Sequence, residues 1–198
     1  MRDATSPPEL RVMIVDGDID RSRNLRGALA LAGYHVVAEL RESLALPDAV
    51  KGLKPHIVIV AADSPDRDTL EHISVTTRDA PRPVVMFTQD GASESIRAAV
   101  KAGVSAYVVD GLAPERIRSI LDVACARFEA HQELTGRLAE TERQLAERKN
   151  VEKAKGLLMK KRGLSEEEAF REMRDLAMRT GKKIGEVAET LIAAAHLL

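Results

Sequence analysis

From Leu10 to about Phe128 the chain alternates short, nearly unbroken apolar runs with stretches in which apolar positions recur every three or four residues. Unbroken β-branched runs suit parallel strands covered on both faces, and the longer period suits helices that bury one side. The pattern predicts strands over Arg11–Val15, Val36–Glu39, Ile57–Val60, Val84–Phe87 and Tyr107–Val109. Helices are expected over Asp20–Ala32, Leu44–Leu53, Thr69–Thr77, Ser93–Ala102 and from Pro114 onward. Short connections between them fit right-handed crossovers, so the expected fold is α/β, a doubly wound five-stranded parallel sheet. Ligand chemistry in such sheets collects at the carboxyl ends of the strands. Asp16-Gly17-Asp18, Ala61 to Pro65, Thr88 and Asp110 are therefore expected to converge.

Beyond the sheet the period becomes purely helical. No proline lies between Pro114 and Met159, and Gly136 is the only glycine before Gly156, which predicts one very long helix. Ile117, Ile120, Ala124, His131, Leu134, Leu138 and Leu145 follow a heptad seam that Arg127, Thr141 and Arg148 interrupt. Such an imperfect coiled coil predicts a homodimer through this helix. Farther on, Val151, Ala154, Leu157 and Leu158 share one face while Lys149, Lys153 and Lys160 fall on another. Lys160-Lys161-Arg162-Gly163 ends the helix, with positive charge at the negative end of the macrodipole and glycine at the stop. A solvated helix end and a binding surface both account for this charge.

Leu164-Ser165-Glu-Glu-Glu168 is a capping box that opens a second helix. Its apolar stripe is Ala169, Phe170, Met173, Leu176 and Ala177, and Phe170 and Leu158 are assigned to the core. A third helix, roughly Lys183 to Leu197, buries Ile184, Val187, Ala188, Leu191 and Ile192. The expected organisation is a flexible tail over 1–9, an α/β domain over 10–126, a coiled-coil linker helix over 127–147 and a three-helix bundle over 148–198.

Composition narrows the function. A net charge of −1 supplies no global attraction to nucleic acid, so any such binding must use a local patch. Aromatic residues make up 3% of the chain, which disfavours base stacking on a sheet. A single cysteine and histidines without ligand spacing point to a cytoplasmic protein that needs no metal or cofactor. No apolar run approaches a membrane span.

The α/β part resembles the receiver domain of bacterial response regulators, and departs from it at the chemistry. That resemblance implies two adjacent acids that hold magnesium: Asp16 matches the first and Gly17 stands at the second. Counting back from Pro65 places Ala61 at the phosphoacceptor, and Thr88 matches the threonine that reads the phosphoryl group. Asp110 replaces the lysine, and its carboxylate would repel a phosphoryl group. Helix capping explains Asp16 and Asp18 without a metal. Asp63 is expected to lie away from Asp16 and Thr88. The domain is thus expected to be a pseudo-receiver, a scaffold without phosphotransfer, and the chain not to be an enzyme.

Ala154-Lys-Gly-Leu-Leu-Met159, Gly163-Leu-Ser-Glu-Glu-Glu-Ala-Phe170, Leu176-Ala177 and Ile184-Gly-Glu-Val-Ala188 resemble the ANTAR domain of the AmiR/NasT family of transcription antiterminators. That resemblance implies binding of leader RNA with tandem hexaloop stem-loops, which keeps a terminator from forming and so affects RNA polymerase indirectly. It also implies control of nitrate or nitrite assimilation genes, through a NasS-like nitrate/nitrite sensor partner instead of phosphorylation. The residues expected to bind RNA are Lys153, Lys155, Gly156, Met159, Lys160, Arg162, Arg171, Arg174, Arg179 and Lys182. For Gly156, close helix packing and close approach of RNA both stand. The alternative is a DNA-binding response regulator with a C-terminal helix-turn-helix. Long helices meeting at Gly163-Leu-Ser165 and Thr180-Gly181 fit that motif less well.

Overall fold

The structure, a computed structural model, describes residues 10–109 and 114–196. The tail expected over 1–9, Asp110 and the last expected helical residue, Leu197, lie outside the described residues. The elements run β1 (Leu10–Asp16), α1 (Ile19–Leu31), β2 (Tyr34–Leu40), a 3₁₀ turn (Ser43–Ala45), α2 (Leu46–Leu53), β3 (Ile57–Ala61), α3 (Arg67–Asp79), β4 (Val84–Thr88), α4 (Ser93–Lys101) and β5 (Ala106–Val109). Helices α5 (Pro114–Arg162), α6 (Glu166–Thr180) and α7 (Ile184–His196) follow. The five strands are parallel in the order β2-β1-β3-β4-β5. Two compact units result, Met1–Gln132 and Glu133–Leu198.

Strand alternation builds two apolar layers in the first unit. Val12, Ile14, Ile59 and Phe87 face Leu25 and Leu29 of α1 together with Ile117, Leu121 and Ala124 of α5. Met13, Val15, Val60 and Met86 face Leu46 and Val50 of α2, Ile73 of α3 and Ala99 of α4. The first turns of α5 are thus core residues of this unit, and the heptad seam divides. Ile117 and Ala124 are fully buried, whereas Leu134, Leu138 and Leu145 are 65%, 59% and 53% exposed. Gly103 turns the chain at φ 99°, where an added Cβ would lie 2.7 Å from the Thr77 hydroxyl.

In the second unit the core is small. Ala154, Met173 and Ala188 are fully buried, with Val151, Leu158, Ile184, Leu191 and Ile192 packed around them. The capping box is present: Ser165 Oγ accepts from the Glu168 amide at 3.3 Å, and Glu168 Oε2 accepts from the Ser165 amide at 2.8 Å. Gly163 and Gly181 follow α5 and α6 in the left-handed conformation, at φ 68° and 66°. Phe170 is a correction to the expected core, for it is 42% exposed. It lies beside, not on, the line Ala169, Met173, Ala177 that α6 buries, so an apolar residue is left at the edge of the face. No described helix is long and apolar enough to cross a membrane.

Candidate functional site

At the carboxyl ends of β1 and β3 lies a cleft of about 720 Å³. Asp16 and Ala61 are register partners at its floor. Ala61 offers only a methyl group there, which has no oxygen to accept a phosphoryl group. The Asp16 carboxylate is fully buried and faces Arg21, which projects from the first turns of α1. Arg21 Nε donates to Asp16 Oδ2 at 3.0 Å and Nη2 to Asp16 Oδ1 at 2.9 Å. The same guanidinium donates through Nη1 to Asp63 Oδ1 at 2.5 Å. Both carboxylates push its pKa up, the hydrogen bond to Asp16 most strongly. Asp63 is therefore not remote from Asp16, as its place along the chain suggests, but tied to it through one guanidinium.

The remaining polar groups at these strand ends are committed to loop geometry. Thr88 Oγ1 donates to the Asp63 carbonyl at 2.9 Å and accepts from the Asp90 amide at 3.1 Å. The Tyr107 hydroxyl donates to the Asp90 carbonyl at 2.8 Å. Hydrogen bonds from Ser95, the Ala92 amide and Ser64 hold the Asp90 carboxyl below the usual carboxylate range. Asp18 caps α1, accepting from the Asp20 and Arg21 amides at 2.9 and 3.1 Å, and those bonds lower its pKa as well. The magnesium ion that a receiver-like fold implies does not fit the residues present, because a cationic side chain already binds the carboxylates that would ligate it.

In the second unit, the residues expected to bind RNA fall into distinct groups. Lys153, Gly156 and Lys160 are exposed, and Met159 is 39% exposed. With Lys149 they follow i, i+4, i+7 and i+11 spacing, one stripe along α5. Among the described residues none of these three lysines forms an ion pair. A Cβ added at Gly156 meets nothing within 4 Å, so close helix packing does not explain this glycine. Arg171, Arg174, Arg179 and Lys182 are exposed. Arg171 and Arg179 share a shallow hollow on α6 with Glu168, Glu172 and Asp175, and their charge is opposed there.

Lys155 is a second correction. It is only 8% exposed, and its Nζ sits 2.7 Å from Glu166 and 2.9 Å from Glu152. These carboxylates raise the ammonium pKa, Glu166 foremost, and Lys155 in turn lowers that of Glu166. Its charge clamps α5 to α6 and is not presented to a ligand. Arg162 is likewise paired, with Glu172. The depressed Glu166 group stabilises the fold above its unfolded pKa and ceases to do so as pH falls through the folded value; the raised Lys155 group does so below its unfolded pKa and loses effect as pH rises through the folded one. Lowering pH through the ordinary glutamate value of 4.5 should therefore weaken this clamp. The melting temperature of Lys155→Met is expected to lose less on acidification than that of the unaltered chain.

Arg21 and Lys149 were not identifiable as site residues from the motifs. Arg21 carries a weak signal, an arginine one turn after a capping aspartate, which more often serves the helix surface. Lys149 has a clearer one, since it precedes Lys153 by one helical turn.

Residues 139–192 match the ANTAR domain family. Over 190 residues the chain is 28% identical to the transcriptional regulatory protein PdtaR of Mycobacterium tuberculosis, covering 96% of this chain and 93% of that one. Over 73 residues it is 40% identical to the nitrate regulatory protein of Klebsiella oxytoca, covering 36% of this chain and 18% of that protein. The signal receiver domain of a modulated diguanylate cyclase from Desulfovibrio desulfuricans superposes with a TM-score of 0.56 at 18% identity, over 62% of this chain and 98% of that one.

Proposed function

We propose that this chain is an RNA-binding transcription antitermination regulator, a reading supported by the ANTAR-domain match over residues 139–192 behind a receiver-like sheet. It engages paired stem-loops in a leader transcript and answers to a sensor protein, not to phosphorylation. The observation that carries this reading is the stripe Lys149, Lys153, Gly156 and Lys160. Its three ammonium groups form no ion pair among the described residues, and a Cβ added at its glycine would meet nothing within 4 Å. RNA loops present phosphates and splayed bases, and such a stripe offers both charge and unobstructed backbone. Met159 at its edge, and Arg174 and Lys182 elsewhere on the unit, add contacts. Ala61 and the Arg21 bridge support sensor control over phosphotransfer, and likeness to a nitrate regulatory protein supports nitrate or nitrite as the signal.

The exposed leucines of α5 support a homodimer. Leu134, Leu138 and Leu145 keep a heptad spacing after the core of the first unit has taken Ile117 and Ala124. Two copies would pair two bundles with two stem-loops. Leu138→Asp is expected to convert a dimer to a monomer, checked by sedimentation equilibrium.

Gly156→Ala separates stability from binding. Removing a mid-helix glycine from open space stabilises α5 by about 1 kcal/mol. RNA affinity falls nonetheless if a base or phosphate approaches that backbone. A thermal melt and a binding isotherm on one sample check both halves. The function itself is tested by transcription in vitro from a template with two hexaloop stem-loops ahead of a terminator. Added protein should raise read-through, and an unchanged terminated fraction at saturating protein would overturn the proposal.

A further inference from the structure

The Arg21 bridge speaks against phosphotransfer in the function proposed above, but that function makes no use of the bridge itself. A fully buried carboxylate on β1 would ordinarily need a counter-ion, and in this sheet the open end of the pocket leads to a second carboxylate, Asp63, that is 75% exposed. One planar guanidinium satisfies both: Nε and Nη2 close on the two Asp16 oxygens through three contacts, Nη1 reaches Asp63, and a long further contact of 3.5 Å points to the Ala61 carbonyl. A hydrated divalent ion would use the same atoms, for magnesium is commonly held by one or two carboxylates with the remaining positions filled by oxygen and water. Of the other carboxylates that line the cleft, Asp18 and Asp66 are spent as helix caps.

We propose that Arg21 is a tethered cation: its side chain takes the place of the divalent ion between Asp16 and Asp63 and links the β1–α1 and β3–α3 loops permanently. Charge balance at the strand ends is then built into the chain. The receiver-like unit is insensitive to magnesium, and its loops keep one arrangement whatever the supply of metal or phosphodonor. This inference rests on the geometry of the first unit alone and stands or falls apart from RNA binding by the second.

The test is the full-length chain and Arg21→Ala, each melted in EDTA and across a magnesium titration. Mn²⁺ broadening of the Gly17, Asp18 and Ala62 amide signals serves as a second readout. The unaltered chain should show the same melting temperature in EDTA and magnesium, with no selective broadening. Arg21→Ala should melt several degrees lower in EDTA, regain most of that loss in magnesium, and show broadening at those three amides. Arg21→Lys, which keeps one positive charge but cannot span both carboxylates, should fold and remain largely metal-insensitive. If Arg21→Ala does not fold in EDTA, folding on addition of magnesium supports the proposal and failure to fold with it counts against. A metal response in the unaltered chain equal to that of the variant, or a destabilised variant that no divalent ion restores, would overturn it.

Discussion

Lys153→Glu combined with Lys160→Glu should lower affinity for a two-hairpin leader RNA by about a hundredfold while leaving the fold intact. Charge-assisted contacts contribute roughly 1.5–3 kcal/mol each, so losing two is on the order of 3 kcal/mol, and reversal adds repulsion. Neither lysine forms an ion pair among the described residues, and both are exposed, so little stability depends on them. Lys160 lies in the last turn of α5 and favours the helix dipole, a term of only a few tenths of a kcal/mol. The salt dependence carries independent information. Each lost phosphate contact should flatten the slope of log affinity against log salt by about 0.7–0.9. Fluorescence anisotropy at several salt concentrations, with circular dichroism as the folding control, checks the prediction. Lys155→Ala should behave in the opposite way, with lower stability and a smaller direct effect on the salt slope, because its charge is spent within the unit.

Met173→Ala should cost the second unit about 2–4 kcal/mol. In the cluster it shares with Ala154 and Ala188, Met173 is the only large side chain that is fully buried. Its neighbours at the centre are alanines, which cannot extend into the space it leaves, so a cavity persists. A unit with so few buried side chains has a small reserve of stability, and a loss of this size is a large part of it. Differential scanning calorimetry should show an earlier transition for the second unit with little change in that of the sheet domain.

The sequence was most informative where local physics and packing agree. Short apolar runs rich in β-branched or aromatic residues at Ile57–Val60 and Val84–Phe87 fitted strands buried on both faces, and Ser165 with Glu168 marked the start of α6. It misled where a residue stands at the border of two environments. Phe170 lies about 100° around the helix from Ala169, next to Ala177 on the wheel, and periodicity cannot decide whether the last position of a stripe is covered. Lys155 looked like its neighbours Lys153 and Lys160 because charge is visible in a sequence and its partner is not. Glu166 comes from the next helix, across a turn. Arg21 gave only a weak signal for a similar reason: its two carboxylates lie five residues before it and on a different strand end, joined only once β1 and β3 pair.

The central claim is that the stripe on α5 belongs to an RNA-binding module. Equilibrium binding of the full chain to an RNA carrying two hexaloop stem-loops, to the same RNA with both loops replaced, and to duplex DNA of matching sequence tests it most directly. Tight, salt-dependent binding to the first is expected, weakened by altered loops and by Lys153→Glu with Lys160→Glu. Equal or tighter binding to duplex DNA, or binding to the hairpin RNA that the double substitution leaves unchanged, would contradict it.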